Sequence, residues 1–174
     1  MSLFESTFRW IGAAIFTVLV PGTVTAFLPY YILDPSVPEI GAWGPLQLIA
    51  STVLVAGASI YFRCLWDFVV AGHGLPAPVD HPKKLVVSGL YRYVRNPMYV
   101  GVLLVFVGEV LLLRSMVLVR YALVFLAIVH INILFYEERY LQFRFAESYD
   151  EYRKNVRRWI PGRPYQPSDT ANSG

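Results

Sequence analysis

The sequence predicts an all-α integral membrane fold: about four transmembrane helices, then a C-terminal amphipathic helix at the interface. Three observations predict it. Apolar residues outnumber charged ones, 56% to 16%, and the mean hydropathy of +0.47 is that of a chain with little need for a water-facing surface. Several apolar runs approach the roughly 20 residues that carry a helix across the hydrocarbon core. Charges collect beside these runs, as the cost of ionisable groups in hydrocarbon requires.

The first span covers about 10 to 33. It begins too polar and runs too long for a signal peptide, and no small-residue cleavage pattern follows, so it reads as a retained helix. Pro21-Gly22 interrupts it, and the missing amide donor predicts a kink. A second span runs over about 45 to 70, a third over 97 to 113 and a fourth over 117 to 136. Only Arg114 and Ser115 clearly separate the last two, which predicts a tight helical hairpin whose short members need not cross fully. The connection Ala71 to Gly89 is rich in Gly and Pro and reads as an irregular loop able to offer backbone groups to a ligand. After Glu138, apolar residues recur at Leu141, Phe145, Tyr149, Tyr152, Val156 and Trp159 with charges between them, predicting an interfacial helix over about 138 to 159. Pro161 is expected to stop it before a disordered polar tail, 167 to 174. No repeat divides the chain, and 1 to 174 reads as one domain.

Lys83, Lys84, Arg92 and Arg95 lie in the second connection and seven more basic residues, from Arg139 to Arg163, follow the fourth span, whereas the connection Asp34 to Gly44 has none. The positive-inside rule therefore sets both termini on the cytoplasmic side of an inner, plasma or ER-type membrane; Arg114 and Arg120 count against it. The single cysteine, Cys64, excludes an intramolecular disulfide and lacks companions at zinc-ligand spacing. A modest net charge of +3, placed beside hydrophobic spans, suits anionic headgroups and not nucleic acid. The bilayer is the partner this composition implies; protein partners are not legible.

Two constellations carry chemistry. Gly89 to Gly101 reads Gly-Leu-Tyr-Arg-Tyr-Val-Arg-Asn-Pro-Met-Tyr-Val-Gly, and Glu137-Glu138 closes the fourth span. Paired carboxylates favour a cationic ligand such as an ammonium or sulfonium, and the attraction strengthens where water is excluded. They serve equally as solvated span-end charges or as partners of Arg92, Arg95 or Arg139. Arg92 and Arg95 can hold a carboxylate or phosphate in a bidentate fork, or simply anchor the chain. His130 falls on one stripe with Glu137, where it can move a proton or be satisfied by one interhelical hydrogen bond. Arg63 and Asp67, four apart, are expected to pair, with Arg63 a reserve substrate-binding candidate. Glu109 is expected to pair with Arg114 or to cap.

Taken together, Arg95-Asn96-Pro97-Met98-Tyr99, Glu137-Glu138-Arg139-Tyr140-Leu141 and Phe145-Ala146-Glu147-Ser148-Tyr149-Asp150-Glu151-Tyr152 before Val156 and Pro161 resemble the motifs of the isoprenylcysteine carboxyl methyltransferase and phospholipid N-methyltransferase superfamily. The likeness covers about the last hundred residues. Asn96 stands where that superfamily usually has His, and Ala146 where it usually has Gly. The resemblance implies a membrane methyltransferase that uses S-adenosylmethionine on a lipid-like or isoprenoid-linked acceptor, a carboxylate or an amine. Carried over residue by residue, it implies Arg95, Glu138 and Arg92 as catalytic; Gly89, Tyr91, Asn96, Pro97, Tyr99, Gly101, Glu137 and Glu138 as cofactor-binding; and no metal. His130 and Arg63 remain substrate-binding candidates. Leu85 to Ser88 could add backbone contacts to the adenine, and Gly72-His73-Gly74 forms a short Gly-x-Gly. Two other readings stay open: a nicotinamide-dependent membrane sterol-type reductase, whose Arg-x-Pro-x-Tyr turn is similar, and a non-catalytic interaction protein of the same fold.

Overall fold

The structure, a computed structural model, describes residues 3–33, 44–70 and 85–166. Residues 71–84 of the loop expected over Ala71 to Gly89, residues 34–43 of the first connection and the polar tail lie outside the described residues. Those described are helical almost throughout, with an isolated β-bridge and no strand. Helix α1 (Leu3–Thr17) continues through a π-helical segment, Val18–Phe27, into a short α2 (Leu28–Ile32); α3 is Pro45–Val70, α4 Pro97–Leu113, α5 Met116–Asn132 and α6 Glu138–Asn155. A 3-10 turn covers Gly89–Arg92 and a second π-helical turn, Ile133–Glu137, joins α5 to α6. Among the described residues three helical stretches are long and apolar enough to cross a membrane, Thr7–Ile32, Pro45–Val70 and Met116–Asn155; Pro97–Leu113 is apolar but shorter. The bilayer explains why so many large apolar side chains of α1, α3 and α5 face outward, among them Ile15, Leu19, Val55, Phe62 and Ile128.

The chain falls into two compact units, 1–62 with 98–128, and 63–97 with 129–174. In the first, Pro21 does what a proline in a span must: with no N–H to donate, it is accommodated by the wider π turn, in which Leu28 N bonds Thr23 O. Side chains take up the disturbed carbonyls. Thr25 Oγ1 donates to Pro21 O at 2.8 Å and Tyr121 OH to Val24 O at 2.9 Å. Helices α3 and α4 touch backbone to backbone. A Cβ on Gly57 would lie 2.7 Å from Gly101 O and from Val105 N, and one on Gly108 would lie 2.7 Å from Leu54 Cβ. This is the small-residue packing of membrane helices, where close approach replaces the hydrophobic drive. The α4–α5 hairpin predicted at Arg114-Ser115 is present: Arg114 takes φ 50, its N–H bonds Val110 O at 2.8 Å, and Ser115 Oγ accepts from Leu118 N.

The second unit is organised by α6 and the segment after it. The helix expected to lie at the interface ends at Asn155 and not near 159, because Val156 turns extended (φ −115, ψ 127) five residues before Pro161 could stop it. Within α6, Ala146 leaves helical geometry at φ 40, ψ −114, so Glu138–Asn155 is two helical halves meeting at a bend. Tyr149, Tyr152 and Val156 form a buried cluster packed by Leu85, Val87, Leu141, Phe145 and Tyr165.

Two substitutions of opposite sign test this backbone. Gly57→Ala forces a methyl into the Gly101 and Val105 backbone and should lower unfolding free energy in detergent by about 1 to 3 kcal/mol; exposed Thr52→Ala should not. Ala146→Gly should raise stability by about 1 kcal/mol, since positive φ costs an L-residue about that much and glycine little. Thermal or denaturant midpoints in detergent read both.

Candidate functional site

Buried polar groups of the second unit converge on Glu138, the first residue of α6. The π turn before it, in which Glu138 N bonds Ile133 O, resets the helical register at the acid pair. Arg158 grips the Glu138 carboxylate with two donors, Nε to Oε1 at 2.9 Å and Nη2 to Oε2 at 3.0 Å. Arg95 Nη1 lies 3.1 Å from Oε1, an ion pair outside hydrogen-bonding angles, and its Nε is buried without a hydrogen-bond partner. Glu138 and Arg95 side chains are only 12% and 11% exposed, so these charges are largely removed from water. Two guanidiniums on one carboxylate leave an excess of positive charge, with a buried Arg95 donor able to take an anionic ligand group. The bonds to Glu138 raise the Arg158 pKa and hold its charge firmly.

The segment after α6 brings Arg158 there. It runs beside residues 91–96: Val94 bridges Arg157, Arg95 N donates to Arg157 O at 2.8 Å, Gly162 N to Tyr93 O at 2.9 Å and Tyr165 N to Arg92 O at 2.9 Å. Arg92 returns its Nε to Tyr165 O, also at 2.9 Å, which ties it to this seam instead of to Glu138. Asn96, buried, donates Nδ2 to Arg158 O at 3.3 Å. Pro97 is buried and opens α4, where its missing N–H costs no helical bond.

A second cluster of polar groups forms at Gly89. Its φ of +54 suits glycine, and a Cβ there would collide with the Asp67 carboxylate. Asp67 Oδ1 accepts from Arg63 Nη1 at 2.8 Å, the pairing its spacing predicts, while Asp67 Oδ2 and Ser88 Oγ are buried without a hydrogen-bond partner. Tyr91 is buried beside them with its ring edge-on to Phe68. Its carbonyl accepts from Tyr152 OH at 2.7 Å, and burial, with Cys64 and Glu137 nearby, pushes its hydroxyl pKa well above the ordinary phenol value.

Of the residues singled out in the sequence, the structure brings Arg95 onto Glu138 and sets Asn96 beside Arg158, while Gly89 and Arg63 meet Asp67 and Tyr91 packs on Phe68. His130 Nδ1 accepts from Trp159 Nε1 at 3.3 Å, a single hydrogen bond between elements. Tyr99 and Gly101 belong to the other unit, where Gly101 serves the contact with Gly57. Arg158, Asp67 as a site residue and the Tyr152–Tyr91 bond were missed. Arg158 lies in a basic stretch that reads as anchoring, and its role depends on the turn at Val156, which no short-range pattern announces.

The family model described as phospholipid methyltransferase matches residues 46–148. A curated protein-S-isoprenylcysteine O-methyltransferase from Schizosaccharomyces pombe is 40% identical over 83 residues, which cover 47% of this chain and 34% of that protein. The match thus spans about a third of the relative's length. No solved structure matches the chain.

Tyr152→Phe removes the buried donor to Tyr91 O and should cost about 1 to 3 kcal/mol of unfolding free energy. Tyr93→Phe, at an exposed ring, should change the midpoint little.

Proposed function

The chain belongs to the phospholipid methyltransferase family, and on that premise we propose that it transfers a methyl group from S-adenosylmethionine to the carboxylate of a lipid-like or isoprenoid-linked acceptor. The observation that carries the reading is the Arg95–Glu138–Arg158 cluster, whose first two members are largely removed from water and lie inside the matched stretch. The residues fit the cofactor: Asp67 Oδ2 and Ser88 Oγ are unpartnered acceptors beside the glycine turn, suited to hydroxyl or ammonium groups, and Arg95 Nε is an unpartnered donor suited to a carboxylate. The bound cofactor would supply an electrophilic methyl on a sulfonium.

What the chain contributes is position and charge. Glu138 is taken up by Arg95 and Arg158, so Glu137, next to it in the chain, would set the negative charge that attracts a sulfonium. Arg95 orients an anionic group through a fork that Lys cannot reproduce. Displacement at the methyl needs donor and acceptor held within about 3 to 3.5 Å with water excluded, and no protein nucleophile. A carboxylate acceptor also needs no base. That favours it over an amine, which must lose a proton, because the Glu138 carboxylate is already engaged by two hydrogen bonds from Arg158 and the ion pair with Arg95. Both termini and the second connection would lie on the cytoplasmic side, with the acceptor arriving from the bilayer.

Titration of detergent-purified protein with S-adenosylhomocysteine tests this. Saturable binding is expected, weakened at least about tenfold by Glu138→Gln, which weakens a charge-assisted contact. A well-folded wild type that binds a nicotinamide nucleotide instead, or neither compound, would sink the reading in favour of a reductase or a non-catalytic protein.

A further inference from the structure

The bend at Ala146 builds a second feature, which borders on Glu138 but otherwise draws on residues that the methyl-transfer reading does not use. Because α6 folds there, Gln142 Nε2 reaches Asp150 Oδ2 at 2.7 Å, although eight residues of straight helix would separate them by about 12 Å. Between the two halves lies a groove of about 580 Å³ lined by Leu134, Glu138, Arg139, Gln142, Phe143 and Arg153. Its charge is biased towards anions. Glu138 is already neutralised by Arg95 and Arg158, while Arg139 and Arg153 reach the groove from opposite halves. Arg153 is steadied by Asp150 at 3.3 Å, the carboxylate that Gln142 also holds, and Arg139 lies over the Phe135 ring, 5.6 Å from its centroid. Phe143 stands 90% exposed at the rim.

A soluble anion would use the two guanidiniums and leave Phe143 in water; an amphiphile uses both, with its head on the arginines and its chains against Phe143 and Leu134. We propose that this groove binds the phosphate of an anionic phospholipid drawn from the bilayer that the apolar helices imply. The site needs the bend, since a straight α6 would carry Arg139 and Arg153 about 21 Å apart along its axis. The proposal does not rest on methyl transfer.

The test reconstitutes the full chain in phosphatidylcholine nanodiscs with and without phosphatidylglycerol and counts retained phosphatidylglycerol by native mass spectrometry. Arg139→Gln with Arg153→Gln should weaken retention at least about tenfold more than the charge-matched control Arg144→Gln with Lys154→Gln, exposed residues outside the groove. Arg139→Lys with Arg153→Lys, which keeps the charge, should fall between. Equal loss in both Gln pairs would mean diffuse surface attraction and overturn the site; so would a wild type with no preference for phosphatidylglycerol, or one from which inorganic phosphate alone displaces the lipid. Unfolding midpoints of both pairs exclude loss of fold. S-adenosylhomocysteine binding, measured alongside, should persist in the groove pair. Its absence from every variant, with lipid retention intact, would count against the cofactor and leave the groove standing.

Discussion

The second unit depends on one carboxylate. Glu138 is the point at which three chain segments are tied: its own helix, the turn carrying Arg95, and the stretch after α6 carrying Arg158. Burying Arg95 and Glu138, with Arg158 partly covered beside them, is costly, and the cost is recovered only when the geometry is good and the remaining donors are used. Arg158 meets that condition with a two-point grip. Arg95 meets it partly, since its Nε has no hydrogen-bond partner. An interaction of this kind contributes less to net stability than to uniqueness. Removing one partner strands the others, so the arrangement admits few alternatives.

The same constraint explains the backbone around it. For Arg158 to reach Glu138, twenty residues upstream, the chain must leave the helix and return, and it does so at Val156. The returning segment then spends its amides and carbonyls on Arg92, Tyr93 and Arg95, so little buried backbone is left unpaired. Tyr152 closes the arrangement from inside the helix by donating to the Tyr91 carbonyl. Arg92, which reads in the sequence as an anion clamp, is used by this seam.

The fold was legible because membrane helices announce themselves by apolar length: the second and third spans coincide with α3 and α4, and Pro21 marked the disturbed turn of the first. The acid pair and the Arg95 turn were legible as charges where hydrocarbon forbids idle ones. What escaped were contacts that depend on where a helix stops. Pro161 looked like the terminator, but the chain turned at Val156, because the seam with residues 92–95 offered its backbone better partners than further helix. Ala146 escaped for a different reason. Alanine is the best helix former, and nothing in its own chemistry announces positive φ; that it stands where the resembling pattern usually has glycine was legible, the bend was not.

That pattern also bears on Asn96. Its amide donates to the Arg158 carbonyl, so the position asks for an N–H donor aimed at the returning segment, a demand that either Asn or His can meet. Nothing in the local geometry asks residue 96 to accept a proton. Glu138 is held by two guanidiniums and His130 accepts from Trp159, so these two side chains already have partners here. On the proposed reading this is what the reaction permits: attack by an anionic carboxylate on an activated methyl releases no proton, and groups kept charged and fixed serve it better than groups free to titrate. The replacement of His by Asn then follows from the chemistry: where position and charge do the catalysis, a donor that keeps Arg158 in place is sufficient.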